Sequence, residues 1–277
     1  MNIQIISDLH LESPKSYSTF SIPPKAPYLA LLGDIGNVLP HKAEYLSFLR
    51  AQLQSFRAVL LVPGNHESYH ATWASTLATL RTFESEIRTQ RRTTINDLGE
   101  FILLDRGTFR SPDHPGVMIL GCSLFSHIPP ENKTDVSMGL HDFYAGLGTQ
   151  NWTVEAHNAA HQRDLTWLNA RVVELERNPS IERVVVLTHW TPTREKRSIH
   201  PSHRNGSKIE SGFSTDLSGE VCCTSGKVKV WGFGHTHFNC DFGVVRSGLG
   251  KLRMVANQRG NYFSQSKGFN VEKVVVV

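Results

Sequence analysis

The segment Val59-Leu60-Leu61-Val62-Pro63 leads directly into Gly64-Asn65-His66-Glu67. A short apolar run of this kind is typical of a buried strand, and the proline and glycine that follow are typical of its end. Asparagine and histidine offer an amide oxygen and imidazole nitrogens, which can bind metals or carry protons. The segment therefore predicts a strand that ends in a loop with reactive side chains.

The same arrangement of an apolar run followed by metal-ligating side chains recurs elsewhere in the chain. It is found at Asp8-Leu9-His10, at Gly33-Asp34, at His189 and at Gly234-His235-Thr236-His237. Taken singly, Gly33-Asp34 is equally typical of a turn. A lone histidine such as His189 is more often packed or hydrogen-bonded than a ligand. The ordered set is much more specific than any of its members.

Two adjacent metal ions lie about 3.5–4 Å apart and need a bridging anionic ligand. Asp34 is the best candidate, because a carboxylate can give one oxygen to each ion. Residues two apart after a strand, as in the Asp8 and His235 motifs, can reach one cavity together. Oxygen and nitrogen ligands without a thiolate suit manganese, iron or zinc. The sequence therefore predicts a dinuclear centre of the kind that hydrolyses phosphoesters.

The ordered motifs resemble those of the calcineurin-like metallophosphoesterase superfamily over almost the whole chain. The resemblance implies an α/β fold, a four-layer sandwich of two mixed β-sheets flanked by α-helices. It implies two groups of metal ligands: Asp8, His10, Asp34 and His237 for the first ion, and Asp34, Asn65, His189 and His235 for the second. Three further segments, Ser7–Glu12, Phe213–Leu217 and Asn257–Tyr262, are similar to those of a small single-domain branch of the family.

The resemblance also implies catalytic roles for His66 and Asp34. His66 matches a histidine that is not a metal ligand, and Glu67 supports the motif from outside the ligand set. The family pattern G-D-x-x-D departs here, because Asn37 stands where the second aspartate would orient that histidine. Asn37 can accept a hydrogen bond but contributes no charge. We therefore expect a lower pKa for His66 than in relatives that have the aspartate.

The expected function is hydrolysis of a small phosphodiester or phosphomonoester, by a phosphodiesterase or a phosphatase. Water activated by the two ions would attack phosphorus, and His66 would assist the leaving group. One alternative is a non-catalytic metal-binding scaffold for protein contacts; the intact ligand positions and His66 argue against it. A different hydrolytic chemistry on the same metal site is a second alternative.

Substrate selection is expected from loops near the site. The candidates are the segment Asn132–Tyr144 with His141 and Asp142, the segment His200–Asp216, and Arg259. A basic side chain there could bind a second phosphate or the leaving group. Ordinary solvated loop charge is an equally good interpretation, and His141-Asp142 could be a structural pair.

Composition is ordinary for a globular protein, with 277 residues, 39% hydrophobic and 19% charged. We expect one domain over residues 1–277, with an irregular loop at about 190–220. A net charge of +4 makes nucleic acid an unlikely main partner. We expect no signal peptide at the N-terminus, and no apolar run reaches membrane-spanning length. Cysteines at 122, 222, 223 and 240 lack a C-x-x-C spacing and predict reduced thiols in a cytoplasmic protein.

Periodicity predicts alternating strands and helices. Strands are expected at 2–7, 28–33, 58–62, 101–104, 117–121, 182–188, 227–233, 241–246 and 251–256, and helices at 41–55, 71–90 and 153–177. Thr153 is the expected N-cap of the last helix. The early strands should pair in parallel and the later ones antiparallel. Residues 105–116 are expected to be irregular, and residues 274–277 to form an edge strand or a packed tail.

Overall fold

The computed structural model describes residues 1–93, 98–201 and 206–277. The strands, in chain order, are β1 (Asn2–Ile6), β2 (Tyr28–Leu31), β3 (Ala58–Leu61), β4 (Glu100–Leu103), β5 (Gly107–Phe109), β6 (Val117–Cys122), β7 (Arg183–Thr188), β8 (Val228–Phe233), β9 (Cys240–Arg246), β10 (Gly250–Ala256), β11 (Gly260–Asn261), β12 (Ser264–Gln265) and β13 (Val274–Val276). The helices are α1 (Lys42–Leu53), α2 (Trp73–Thr93), α3 (Lys133–Gly139), α4 (Val154–Glu176) and α5 (Val221–Thr224).

The predicted strands and helices are present, with ends that lie within three residues of the prediction. The Thr153 hydroxyl accepts a hydrogen bond from the Ala156 amide at 3.2 Å, which confirms the predicted N-cap of α4. The prediction missed α3, because seven residues are too few to display a helical period. It also missed β5, which lies in the segment 105–116 expected to be irregular.

Two large mixed sheets form the centre of the fold. The first has the order β13-β1-β2-β3-β4 and the second the order β5-β6-β7-β8-β10-β9. The pairs from β1 to β4 are parallel, as predicted, and β13 pairs antiparallel with β1. The segment 274–277 therefore contributes an edge strand. A small hairpin of β11 and β12 lies outside both sheets.

The predicted antiparallel pairing of the later strands is confirmed for β9 with β10 and is wrong for β8. The contacts of β8 with β7 and with β10 are parallel, and β10 is antiparallel only to β9. The loop after β8 moves the chain outward, so that β9 occupies the sheet edge and β10 returns beside β8. Both β8 and β10 consequently end at the same edge of the sheet, and this edge is where the polar motifs lie.

Three layers of apolar contact hold the sheets and helices together. Ile3 and Ile5 of the first sheet pack against Val185 and Leu187 of the second in the central layer. Alternate residues of the same strands point to the other face. There α1 and α2 cover the first sheet, for example through Phe83. α4 and α5 cover the second sheet. The order is helices, sheet, sheet, helices, which confirms the predicted four-layer α/β sandwich.

The segment 190–220 is irregular in its described part, with short 3₁₀ turns at Lys196–Ser198 and Glu210–Gly212. It is tied to the fold by the buried Trp190, whose indole nitrogen donates to the Gly212 carbonyl at 3.1 Å. Among residues 1–93, 98–201 and 206–277, the helices are too short or too polar to cross a bilayer.

Candidate metal centre

The polar motifs of the sequence meet at one edge of the two sheets. Asp8 follows β1, Asp34 follows β2, Asn65 follows β3, His189 follows β7 and His235 follows β8. The carboxyl ends of parallel strands lie at the same edge, and clefts at this edge are the usual ligand sites of α/β sheets. Contacts between the motifs of β1 and β8 join the two sheets there.

The backbone at these positions is unusual. Asp8, His10, Asp34, His235 and His237 all have positive φ angles, between 47° and 71°. Residues other than glycine rarely adopt positive φ angles, although Asp and His do so more often than most. Each such residue costs on the order of 1 kcal/mol and persists where its surroundings enforce it. Five of them in one cluster indicate that the backbone is bent so as to point these side chains inward.

Two glycines make the close approach of the loops possible. Gly33 has φ +87°, and a Cβ there would come within 2.7 Å of the Gly64 amide nitrogen. A Cβ on Gly64 would overlap the Asp34 carboxylate. The glycines of both motifs are therefore required by the packing of one loop against the other.

The first cluster of possible ligands consists of Asp8, His10 and His237. The Nε2 atoms of the two histidines lie 2.9 Å apart, and His237 Nε2 lies 3.4 Å from Asp8 Oδ1. The backbone amide of His235 donates to both Asp8 oxygens at 3.1 Å. Burial would raise the pKa of Asp8, but the hydrogen bond and charge of His237 outweigh it and lower that pKa.

The second cluster consists of Asp34, His189 and His235, with Asn65 beside it. His189 Nε2 lies 3.0 Å from Asn65 Oδ1 and 3.4 Å from Asp34 Oδ1. His189 Nδ1 lies 2.7 Å from the Leu32 carbonyl, which can only accept a hydrogen bond. The proton of a neutral His189 ring is therefore on Nδ1, and Nε2 keeps its lone pair for the cluster.

Asp142 fixes the orientation of the Asn65 amide. Asn65 Nδ2 donates to Asp142 Oδ1 at 2.8 Å and to the Tyr69 hydroxyl at 3.0 Å, and that hydroxyl also donates to Asp142. With its nitrogen bound on that side, Asn65 directs its oxygen to His189. Burial raises the pKa of Asp142, against the effect of these donors.

The residues present fit a pair of metal ions. The buried His235 Nε2 has no hydrogen-bond partner among the described residues. Burial lowers the pKa of His235 to about 3, so that its ring is neutral and can offer a lone pair. Burial would raise the pKa of Asp34, but His189 and His66 hold it well below its usual value. Buried carboxylates and imidazoles that converge on one another, with one imidazole nitrogen left unpaired, are typical of metal ligands.

His66 lies at the rim of the two clusters, with 24% of its side chain exposed. Its Nε2 is 4.0 Å from Asp34 Oδ2, and its ring stacks on Tyr69 at a centroid distance of 4.2 Å. Its Nδ1 is 2.7 Å from Glu12 Oε1. Burial opposes protonation of His66, but Asp34 and Glu12 together raise its pKa to about 10.

The sequence-based argument about Asn37 missed Glu12. The Asn37 side chain donates to the backbone carbonyl of His66 at 2.8 Å. Glu12 places beside His66 a charge that position 37 does not provide, and the comparison of the His66 pKa with relatives that have the aspartate stays a prediction. Glu12 is two residues beyond His10 in the motif Ser7–Glu12. That spacing was the available signal, but nothing local indicates that this side chain reaches His66.

Glu67 links the loop after β2 to the loop after β3. The buried carboxylate accepts hydrogen bonds from the amides of Asp34, Ile35 and Gly64 at 2.7–2.9 Å, and from the Tyr45 hydroxyl at 3.0 Å. Burial and the charge of Asp34 raise the pKa of Glu67 to about 7. Its contacts agree with the predicted supporting position outside the ligand set.

The remaining candidates differ in their positions. His141 and Asp142 both line the cleft over the clusters, and Asp142 is buried whereas His141 is exposed. Arg259 is buried instead: its guanidinium donates to the Leu9 carbonyl at 2.8 Å and lies 5.0 Å from the ring of Phe20. This contact gives Arg259 a structural role. In the segment 200–216, residues 202–205 lie outside the described residues.

The cleft above the clusters has a volume of about 320 Å³. It is lined by Asp34, Asn65, His66, Tyr69, Gly139, Leu140, His141, Asp142, Phe213, His235, Thr236 and His237. Four of the side chains that could hold ions, Asp34, Asn65, His235 and His237, thus line the cleft, and the loop around α3 forms one wall.

The motifs and the fold agree with one family of proteins. The family profile described as calcineurin-like phosphoesterase matches residues 1–239. The chain therefore belongs to the calcineurin-like phosphoesterase family.

Individual relatives are distant. A curated protein, "Uncharacterized protein L509" of Acanthamoeba polyphaga mimivirus, is 23% identical over 288 residues, which cover 97% of this chain and 94% of the relative. The crystal structure of phosphopantetheinyl hydrolase (PptH) from Mycobacterium tuberculosis is 15% identical, with a TM-score of 0.59 and coverage of 94% and 89%. A dimetal phosphatase from Danio rerio is 14% identical, with a TM-score of 0.49 and coverage of 92% and 86%. The similarity to PptH supports the fold.

Proposed function

We propose that the protein is a dinuclear-metal hydrolase of a small phosphodiester or phosphomonoester. The observation that carries the proposal is the convergence of two ligand clusters on either side of Asp34, beneath an open cleft. Metal-dependent hydrolysis of phosphoesters is the activity of the family.

Asp8, His10 and His237 would hold one ion, and Asn65, His189 and His235 the other. Asp34 would be shared, because a carboxylate can give one oxygen to each ion; its Oδ1 lies 3.4 Å from His189 Nε2 of the second group. Manganese, iron and zinc all suit such oxygen and nitrogen donors. When bound, two ions supply charge neutralisation for the phosphate and lower the pKa of a water that can attack phosphorus.

His66 would act on the leaving group. Its Nε2 faces the cleft, and the partial exposure of the ring lets it reach a bound ester. In this role it gives a proton from Nε2 to the departing oxygen as the phosphorus–oxygen bond breaks. The ring retains its hydrogen bond to Glu12 throughout.

We further propose that residues 1–277 form one catalytic domain, since ligands from Asp8 to His237 belong to one site. The cytoplasmic location stays a prediction; the four cysteines are free thiols, which accords with a reducing compartment. Candidates for substrate contacts are His141 and the described part of the segment 200–216.

The test is hydrolysis of p-nitrophenyl phosphate and bis-p-nitrophenyl phosphate after metal removal and re-addition of manganese. Turnover that returns with manganese and is lost in Asp34→Asn would support the proposal. The ratio of the two rates would separate a phosphatase from a phosphodiesterase. Two bound ions with no turnover on any ester would favour the scaffold alternative, and no bound ions would overturn the proposal.

A further inference from the structure

We infer that Glu12 is a positioning residue for His66, holding a proton on Nδ1 of the ring so that Nε2 is presented to the leaving group. The inference rests on the proposed function, in which His66 donates that proton. It extends the site to a carboxylate that belongs to neither ligand cluster assigned above.

The position of Glu12 is set by the backbone. Three backbone hydrogen bonds join the segment before Glu12 to the loop after β2. The amides of Asp8, His10 and Leu11 donate to the carbonyls of Gly33, Asp34 and Ile35, respectively, at 3.0, 3.0 and 2.9 Å. The Glu12 side chain is 10% exposed. A side chain fixed and shielded in this way loses little entropy when it makes a hydrogen bond.

Glu12 contacts both histidines at the mouth of the site. Its Oε1 is 2.7 Å from His66 Nδ1 and 3.3 Å from His10 Nδ1. An ionised carboxylate only accepts hydrogen bonds, so the His66 Nδ1 bonded to it carries a proton. The Nε2 atom of His66 is then free to act on substrate in the cleft, and His10 Nε2 lies 2.9 Å from His237 Nε2 in the first ligand cluster.

Other contacts hold the His66 ring but do not determine which of its nitrogens carries the proton. Tyr69 stacks on one face of His66, and the His10 ring meets it edge-on at 4.4 Å. Asn37 binds the backbone carbonyl of His66 rather than its ring. The carboxylate of Glu12 is therefore the contact that can fix both the orientation of the imidazole and the position of the proton on Nδ1.

The experiment compares wild type, Glu12→Gln and the control Glu44→Gln. Glu44 is a glutamate with a 46% exposed side chain that pairs with Lys15 and has no contact with His66. Turnover of phenyl phosphate and p-nitrophenyl phosphate is measured with manganese. Phenolate is the poorer leaving group and needs the proton more. General acid catalysis typically contributes about 10²–10⁴-fold. We expect Glu12→Gln to lower kcat for the phenyl ester by at least about tenfold. The p-nitrophenyl ester should lose much less, with KM and bound manganese unchanged.

The His66→Ala variant tests whether Glu12 acts on catalysis through His66. If Glu12 acts through His66, Glu12→Gln should have no further effect on kcat in that background. Equal losses on both esters with two ions bound, or an additive loss in the His66→Ala protein, would overturn the inference. Loss of manganese from Glu12→Gln would instead make Glu12 a metal ligand, which also overturns it.

A spectroscopic readout keeps the inference separate from the proposed function. In wild-type protein, proton and nitrogen NMR should show a downfield Nδ1–H resonance, assigned to His66 by its loss in His66→Ala. This resonance should vanish in Glu12→Gln and persist in Glu44→Gln. Its absence from wild type would refute the inference even for an active enzyme. Its presence in a protein without turnover would count against the proposed function and not against the contact.

Discussion

Replacing Asp142 with alanine should weaken the binding of one of the two metal ions selectively. Asp142 lies 77 residues from Asn65 in the chain, yet it is the carboxylate that holds the Asn65 amide nitrogen at 2.8 Å. Without it, the amide can rotate and its oxygen no longer points steadily to His189. Loss of a partner that orients a ligand typically costs about 10–100-fold in metal affinity. We therefore expect one of two manganese binding steps to weaken by about that factor, which is about 1.4–2.8 kcal/mol.

Stability should fall as well, because two buried donors lose their acceptor. An unpaired buried donor costs about 1–3 kcal/mol, which gives about 2–6 kcal/mol for the Asn65 amide and the Tyr69 hydroxyl together. Burial raises the pKa of Asp142, so removing this carboxylate also relieves a desolvation cost, and the lower end of that range is expected. About 2 kcal/mol corresponds to a melting temperature lower by about 4–8 °C.

The assay is calorimetric titration of metal-free protein with manganese, for wild type, Asp142→Ala and the control Asp135→Ala. Asp135 lies on α3, has a 41% exposed side chain and is 3.8 Å from Lys208, so its loss should change neither binding step. Equal weakening of both steps, or none in Asp142→Ala, would refute the idea that Asp142 acts by orienting Asn65.

Three further predictions concern the supports of the site and the core. Glu67→Ala should destabilise the protein by about 3–5 kcal/mol in urea unfolding, because it removes a buried carboxylate on which two loops depend; a change below 1 kcal/mol would contradict this role. Gly64→Ala should retain the fold by circular dichroism but lose manganese binding, since its Cβ overlaps the Asp34 carboxylate. His157 is buried beside Trp190, and burial lowers its pKa to about 3 from a reference of 6.5. Its folded pKa is depressed, so the unfolded chain takes up the proton first. Its contribution should therefore be constant above pH 6.5 and fall by about 1.4 kcal/mol for each pH unit from 6.5 down to about 3, so that the stability of His157→Leu should depend less steeply on pH than that of wild type in this range.

Much of the fold could be predicted because local patterns agree with the tertiary structure. Strands β2 and β3 are apolar throughout and buried on both faces, and β1 is buried from Ile3 to Ile6, so each is recognisable without any knowledge of its neighbours. The motif after each strand then lies at the shared edge as a consequence of parallel pairing. The residues predicted as metal ligands were brought together for this reason.

The parts that could not be predicted depend on contacts distant in sequence. The Glu12 contact requires the first loop to fold onto residues 33–35, and β10 inserts beside β8 only because β9 moves to the sheet edge. From the sequence, Arg259 was predicted as a basic side chain available to substrate, yet it donates to the Leu9 carbonyl, 250 residues away in the chain. Spacing alone carries no information about such contacts.

Anomalous X-ray diffraction from a crystal soaked in manganese would show whether a pair of metal ions shares Asp34. We expect two anomalous peaks about 3.5–4 Å apart on either side of the Asp34 carboxylate. One peak should be touched by His10 and His237, and the other by His189 and His235. A single peak, or peaks away from Asp34, would contradict this expectation.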